Sequence, residues 1–325
     1  MSRIFDALRR SESERSGNDL DALPKGPDLL RDAERRTLSG WEESPFDKDA
    51  DSRIFGEGDE LLRLDGASTA VAAIDGLGGS PGLPEAERMD ILSRFQSLSI
   101  APPSKSRIVC LSDRENPTAE ALRLLAVRLR DLRRVRPLKK VLITSTIPQE
   151  GKSTISGNLA VALSQSTDEK ILIVDGDLRR PSLSHMFGIH KTQGLSEWLK
   201  EDNTSLADIY RLDAAGFWIL PAGRPFGNPL ELLQSPRLPV LIDKLAACFD
   251  WVIIDSPPVL PLADTSVWMR IADGILLVTR QGTTEKKQLQ KGLAALDSQK
   301  LLGALLNGTL ASQYSGYYYR SSTPS

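Results

Sequence analysis

The chain has 325 residues, 40% hydrophobic and 26% charged, long enough for two average domains or for one α/β domain with appendages. With 41 Lys and Arg against 43 Asp and Glu the net charge is −2, which gives no support to a global nucleic-acid or membrane footprint. No run reaches about 18 consecutive apolar residues, no secretory signal opens the chain, and Cys110 and Cys248 lack metal-ligand spacing, so a cytosolic protein in a reducing compartment is expected.

Residues 1–104 mix charge with Gly, Ser and Pro and show little sustained periodicity, the composition of a largely disordered or partly helical arm or linker. Two pieces stand out within it. Ile4, Phe5 and Leu8 share one helical face beside Arg9 and Arg10, and Met89, Ile91, Leu92, Phe95 and Leu98 have loosely helical spacing that predicts minor packing. From residue 105 to 311 apolar runs alternate with helical patterns. "RIVCL" reads as a leading edge strand, followed by an amphipathic helix in "NPTAEALRLLAVRLRDLRRV" and the strand "KKVLITS". A helix follows from about Lys152 to Gln165, then the strands "KILIVD", "FWILPAG", "DWVIID", "DGILLVT" and "LLGALLN" with helices between. Short, continuously apolar strands separated by helices predict an α/β fold: a mostly parallel sheet covered on both faces, with its ligand at the strand carboxyl ends. Residues 312–325 form a Ser- and Gly-punctuated tail holding Tyr314, Tyr317, Tyr318 and Tyr319, four of the five tyrosines in the chain.

The strand "VLITS" runs into "TIPQEGKST", where Gln149, Glu150, Gly151, Lys152, Ser153 and Thr154 open a helix. Strand, tight loop and Gly-Lys-Ser-Thr make a P-loop, in which amide N–H groups and a helix N-terminus converge on phosphate. Lys152 can reach the β- and γ-phosphates, and the Ser153 hydroxyl can bind Mg²⁺. Thr146 stands where the usual pattern has its first glycine. One helix later Asp175 and Asp177 leave the end of "ILIVD", and Asp255 ends "WVIID" as a Walker B acid does. Lys152, Asp175 and Asp177 are the catalytic candidates, and Ser153, Asp177 and Asp255 the metal-ligating ones.

These three motifs in this order resemble the bacterial tyrosine kinases of capsule and exopolysaccharide synthesis, P-loop enzymes unrelated to the eukaryotic kinase fold. The likeness runs from about Glu115 to the C-terminus and includes "LPAGRPFGNPLELLQS" and "LADTSVWMRIADGILLVTRQGTT". It implies an ATP- and Mg²⁺-dependent autokinase whose tail tyrosines are the substrate. It implies also a homo-oligomer and recruitment to the inner face of the cell membrane by a separate membrane-embedded polysaccharide co-polymerase or chain-length adaptor. Whether Asp175 or Asp177 takes the tyrosine proton is left open. The family's Glu-x-x-Arg-x-x-Arg helix is incomplete here: Glu120 and Arg123 fit, and Ala126 holds the third place. Two alternatives stand beside this one. A deviant-Walker partitioning or cell-division-site ATPase would carry a signature lysine where this chain has Ile147, and a non-catalytic nucleotide-binding scaffold would bind without turnover. The basic run "RLRDLRRVRPLKK" lacks interleaved aromatics and is not read as a nucleic-acid site.

Overall fold

The structure, a computed structural model, describes residues 84–99, 107–113, 115–165, 168–189, 193–200, 208–260 and 262–309. The N-terminal piece around Ile4 and the four tail tyrosines lie outside the described residues.

The first elements are α1 (Glu85–Ser93), β1 (Gln96–Leu98), α2 (Val109–Ser112), α3 (Pro117–Val135) and β2 (Lys140–Ser145). Next come α4 (Lys152–Ser164), β3 (Ile171–Asp175), α5 (Leu183–Met186), α6 (Leu195–Lys200), β4 (Tyr210–Leu212) and β5 (Phe217–Leu220). The rest are α7 (Pro229–Leu233), α8 (Arg237–Cys248), β6 (Trp251–Asp255), α9 (Asp264–Ile271), β7 (Gly274–Arg280), α10 (Lys286–Ala294) and β8 (Leu301–Asn307). The strands form one sheet in the order β1-β4-β5-β3-β6-β2-β7-β8, parallel throughout except at the β4–β5 pair. The expected mostly parallel α/β architecture is the one found.

Strand period two divides the apolar residues between two cores. Ile171, Ile173 and Ile253 pack on one face with α3 and α4, while Leu172, Val174, Val252 and Ile254 pack on the other with α8 and α9. The same alternation carries the side chains of Asp175 and Asp255, next in register at the strand ends, to the α4 face. Helix α4 is apolar or small on every side and is buried from Ile155 through Leu163, as a helix without a polar stripe must be. Its single long polar core residue, Asn158, is satisfied: Oδ1 accepts from the Cys110 amide at 3.0 Å, and Nδ2 donates to the Thr154 and Arg107 carbonyls at 2.8 and 2.9 Å.

Two local expectations change. "RIVCL" is no strand: Val109–Ser112 forms the short helix α2, with Ile108 and Cys110 buried against α4. Four apolar residues do not distinguish a strand from a buried turn of helix. Within the stretch assigned to the arm, Ile91, Leu92 and Phe95 are full members of the core, and β1 extends the sheet. Phe95 stacks on Phe249, which meets Trp218 edge-on, and Arg88 holds Asp250 at 2.7 Å. The sheet therefore begins upstream of residue 105.

Helix α3 starts as its sequence demands, with Asn116 capping the Thr118 amide at 2.9 Å and Pro117 in the first turn. Three cations at its C-terminal end are used inside the fold. Arg130 reaches Glu169 at 2.8 Å, Arg133 lies over the Trp251 ring, and Arg136 donates to the Asp273 carbonyl at 2.6 Å.

Candidate active site

Strands β3, β6 and β2 are adjacent in the sheet, so the three motifs separated in sequence end side by side. The loop after β2 turns through two left-handed residues, Gln149 (φ 66°) and Gly151 (φ 92°), before α4 begins. A Cβ on Gly151 would lie 2.2 Å from Asn307 Nδ2, so only glycine fits. The loop is held from outside. Buried Glu150 accepts from the Ile147 amide at 2.8 Å and from the Thr284 hydroxyl, Asn307 donates to the Glu150 carbonyl at 2.9 Å, and Arg280 donates to the Gln149 carbonyl at 3.3 Å. Thr146, in the place of the usual glycine, is buried against Gly292 of α10, where a Cβ would sit 3.0 Å from the threonine methyl. Glycine at 292 makes the room that glycine at 146 would have made.

Lys152, in the first turn of α4, places its ammonium 2.8 Å from Asp177 Oδ2. Asp177 Oδ1 accepts from the Arg180 amide at 3.1 Å. One turn along α4 from Lys152, the Ser156 hydroxyl donates to Asp255 Oδ1 at 3.1 Å. Asp175 Oδ2 accepts from the Leu183 amide at 3.1 Å. Asp175 Oδ1 and Asp255 Oδ2 are buried and have no partner. Lys152, Ser153, Asp175, Asp177 and Asp255 are thus brought together, with Gln149, Glu150, Gly151 and Thr154 in the loop and helix start beside them; Glu150 serves to brace the loop.

Burial drives the electrostatics. Asp175 is pushed well above the usual carboxylate range by desolvation, with Asp255 adding to the effect and the Leu183 amide opposing it. Asp255 is also raised by burial, against which Lys152 and the Ser153 and Ser156 hydroxyls act. Burial works to lower Lys152, but Asp255, Asp177 and Asp175 outweigh it and hold the ammonium above its ordinary value. A fixed cation facing carboxylates with open oxygens has the chemistry to take up phosphate and a hard metal ion together.

Sequence reasoning missed Ser156, Thr284, Arg280, Asn307, Asp264 and Trp268. Ser156 was findable as the residue four after Lys152, and Asn307 as the polar end of an apolar strand. The others act through loops whose approach only the fold reveals.

Fold and loop define a P-loop NTPase. A family model for an AAA domain matches residues 149–297. The chain is 35% identical over 214 residues to the tyrosine-protein kinase YwqD of Bacillus subtilis, covering 65% of this chain and 90% of the relative. It is 33% identical over 181 residues to the tyrosine-protein kinase etk of Escherichia coli, covering 55% of this chain and 25% of that longer protein. Among solved structures, the kinase domain of E. coli ETK superposes with a TM-score of 0.59 at 26% identity, over 75% of this chain and 98% of that one. The chimerical protein CapA2B2 gives 0.59 at 29%, over 67% and 97%. The chain belongs to the bacterial tyrosine kinase family. No helix among the described residues is long and apolar enough to cross a membrane.

Proposed function

We propose that this chain is an ATP- and Mg²⁺-dependent protein-tyrosine autokinase that transfers the γ-phosphoryl group to Tyr314, Tyr317, Tyr318 and Tyr319. The observation that carries the reading is the Lys152 ammonium at 2.8 Å from Asp177, with buried, unpartnered oxygens on Asp175 and Asp255 close to it in the fold. The donor set fits a hard cation. Among the described residues no three acidic, His or Cys side chains form a cage, and Mg²⁺ needs none, since it binds through one or two carboxylates plus phosphate oxygens and water. Ser153, Asp177 and Asp255 would hold it, and when bound it supplies neutralisation of charge on the transferring group.

The residues divide the work by their environments. Lys152, kept charged by its acidic neighbours, is the cation for the β- and γ-phosphates, and the first-turn amides of α4 add the helix N-terminus to it. Both Asp177 oxygens are engaged, on Lys152 and the Arg180 amide, which places it on the cation and metal side of the site, whereas Asp175 has an open oxygen and a raised proton affinity. Asp175 is therefore the acceptor for the phenolic proton as the tyrosine oxygen bonds to phosphorus and the bond to the β-phosphate oxygen breaks. A tyrosine with a free pKa of about 10 arrives protonated, so alignment and charge neutralisation carry more of the rate than the base does. With a separate membrane adaptor acting on it, the kinase would regulate polysaccharide polymerisation and export.

To test this, the protein is incubated with ATP, Mg²⁺ and the cytoplasmic segment of the adaptor, and phosphates are mapped by mass spectrometry. Label is expected on the tail, reduced at least about 100-fold in Lys152→Met and absent from a chain truncated at Gln313. Nucleotide binding without label would overturn the kinase reading in favour of a scaffold.

A further inference from the structure

Helix α9 touches none of the groups assigned to phosphate, metal or proton transfer, yet it grips the loop that carries two of the acids at both ends. Gly176, between Asp175 and Asp177, is fixed through both of its backbone polar atoms. The Gly176 amide donates to the Asp255 carbonyl at 2.8 Å, and the Gly176 carbonyl accepts from Trp268 Nε1 at 3.1 Å. There is no slack around it: a Cβ on Gly176 would lie 2.7 Å from the Asp255 carbonyl oxygen and 2.8 Å from the Trp268 ring. At the other end Arg179 forks onto Asp264, with its two nitrogens 2.7 and 3.0 Å from the two carboxylate oxygens. Asp264 and Trp268 are both fully buried and lie four residues apart, hence on one face of α9. Between them Thr265 donates to the Pro257 carbonyl at 2.8 Å, tying the same helix to the segment that follows Asp255.

One helix face therefore holds the loop after β3 and the loop after β6 at a fixed separation. The separation needs holding. Asp175 and Asp255 are register partners on neighbouring strands, and each has a buried oxygen without a partner. Their repulsion favours a loop that relaxes away from β6, and the Trp268 and Asp264 tethers oppose that relaxation. We propose that Trp268 and Asp264 are positioning residues for phosphoryl transfer, acting through Gly176 and Arg179 to set where Asp175 and Asp177 stand relative to Lys152. The inference rests on the kinase reading of the site, and its test includes a readout that does not.

Trp268→Phe keeps a buried aromatic ring but removes the N–H together with part of the indole, while Asp264→Asn keeps shape and removes the charge that pairs with Arg179. Trp251→Phe serves as the packing control, because that indole is equally buried and its N–H has no partner. In nucleotide-free protein, amide exchange over residues 175–179 is expected to accelerate about 10-fold or more in both α9 variants and not in the control, while β2 and α4 stay protected. With ATP and Mg²⁺, kcat for tail phosphorylation is expected to fall about 10- to 100-fold, with KM for ATP within about threefold of wild type. Unchanged exchange in Trp268→Phe overturns the tether, and faster exchange with unchanged kcat overturns its role in positioning. So does a fall in kcat that Trp251→Phe reproduces. If the wild-type protein transfers no phosphate, the kinase reading fails, and the exchange result still decides whether α9 holds the acidic loop.

Discussion

Asp175 has no exposed surface, one oxygen on the Leu183 amide and the other without a hydrogen-bond partner. Its carboxyl is raised above the value near 3.9 that it has in an unfolded chain. The folded state therefore binds the proton more tightly than the unfolded state. The stability this group contributes is complete below about pH 4 and is lost as pH rises through the folded value. Asp175→Asn removes the penalty. In the absence of nucleotide and Mg²⁺ the variant is expected to melt above wild type, by about 2 °C or more at neutral pH, with the difference shrinking toward pH 4. Melting curves across that range, with phosphate transfer measured in parallel, check it: a more stable and inactive protein is the expected pair. A gain that is constant with pH would mean that the carboxylate is not the source. The same residue shows what sequence does convey. An acid at the end of an apolar strand two residues before a second acid was legible as chemistry, but its isolation beside Asp255 depends on β3 and β6 being neighbours, which no spacing announces.

At the scale of elements, α1 and β1 were the least legible part of the fold. Their apolar residues are sparse, and their burial depends on Trp218 and Phe249, well over a hundred positions away. Phe95→Ala is expected to cost about 3–5 kcal/mol in urea unfolding with an unchanged denaturant slope, because it empties a buried core site stacked on the Phe249 ring. If the segment were a loose arm, the substitution would have almost no effect. The P-loop and α4 stood at the other extreme. Gly151, Lys152 and the unbroken small and apolar run behind them specify strand, turn and helix locally, so pattern alone sufficed. The short helix α2 fell between these cases: its apolar residues announced burial correctly and the wrong backbone shape.

For the molecule as a whole, three strands that are adjacent in space and distant in sequence bring a lysine and three acids to one rim. The acids repel one another in the nucleotide-free protein, so a ligand that brings positive charge and fills the loop should stabilise the entire sheet rather than one loop. Mg·ADP at about 100 times its Kd is expected to add about 2.7 kcal/mol and raise Tm by about 5–10 °C, with chelation of the metal returning most of the gain. Differential scanning calorimetry with nucleotide, metal and chelator in turn measures this. A nucleotide effect indifferent to the metal would remove Asp177 and Asp255 from the metal site. The sheet order was not deducible from the chain, but the consequence of a parallel sheet, ligand chemistry gathered at the carboxyl ends, was.

Helix α4 is enclosed from Ile155 through Leu163, with the sheet beneath it and α2 and α3 packed alongside. A rod sheathed on all sides neither rolls nor slides without breaking the body around it. The phosphate cradle is thus an anvil, rigid before any reactant arrives. On the kinase reading proposed above, output would then be governed by the delivery of material to the rim: when a tyrosine is presented, how long it dwells, and whether a neighbour supplies it. An activator, under that proposal, would be a feeder of substrate and not a sculptor of the catalytic floor.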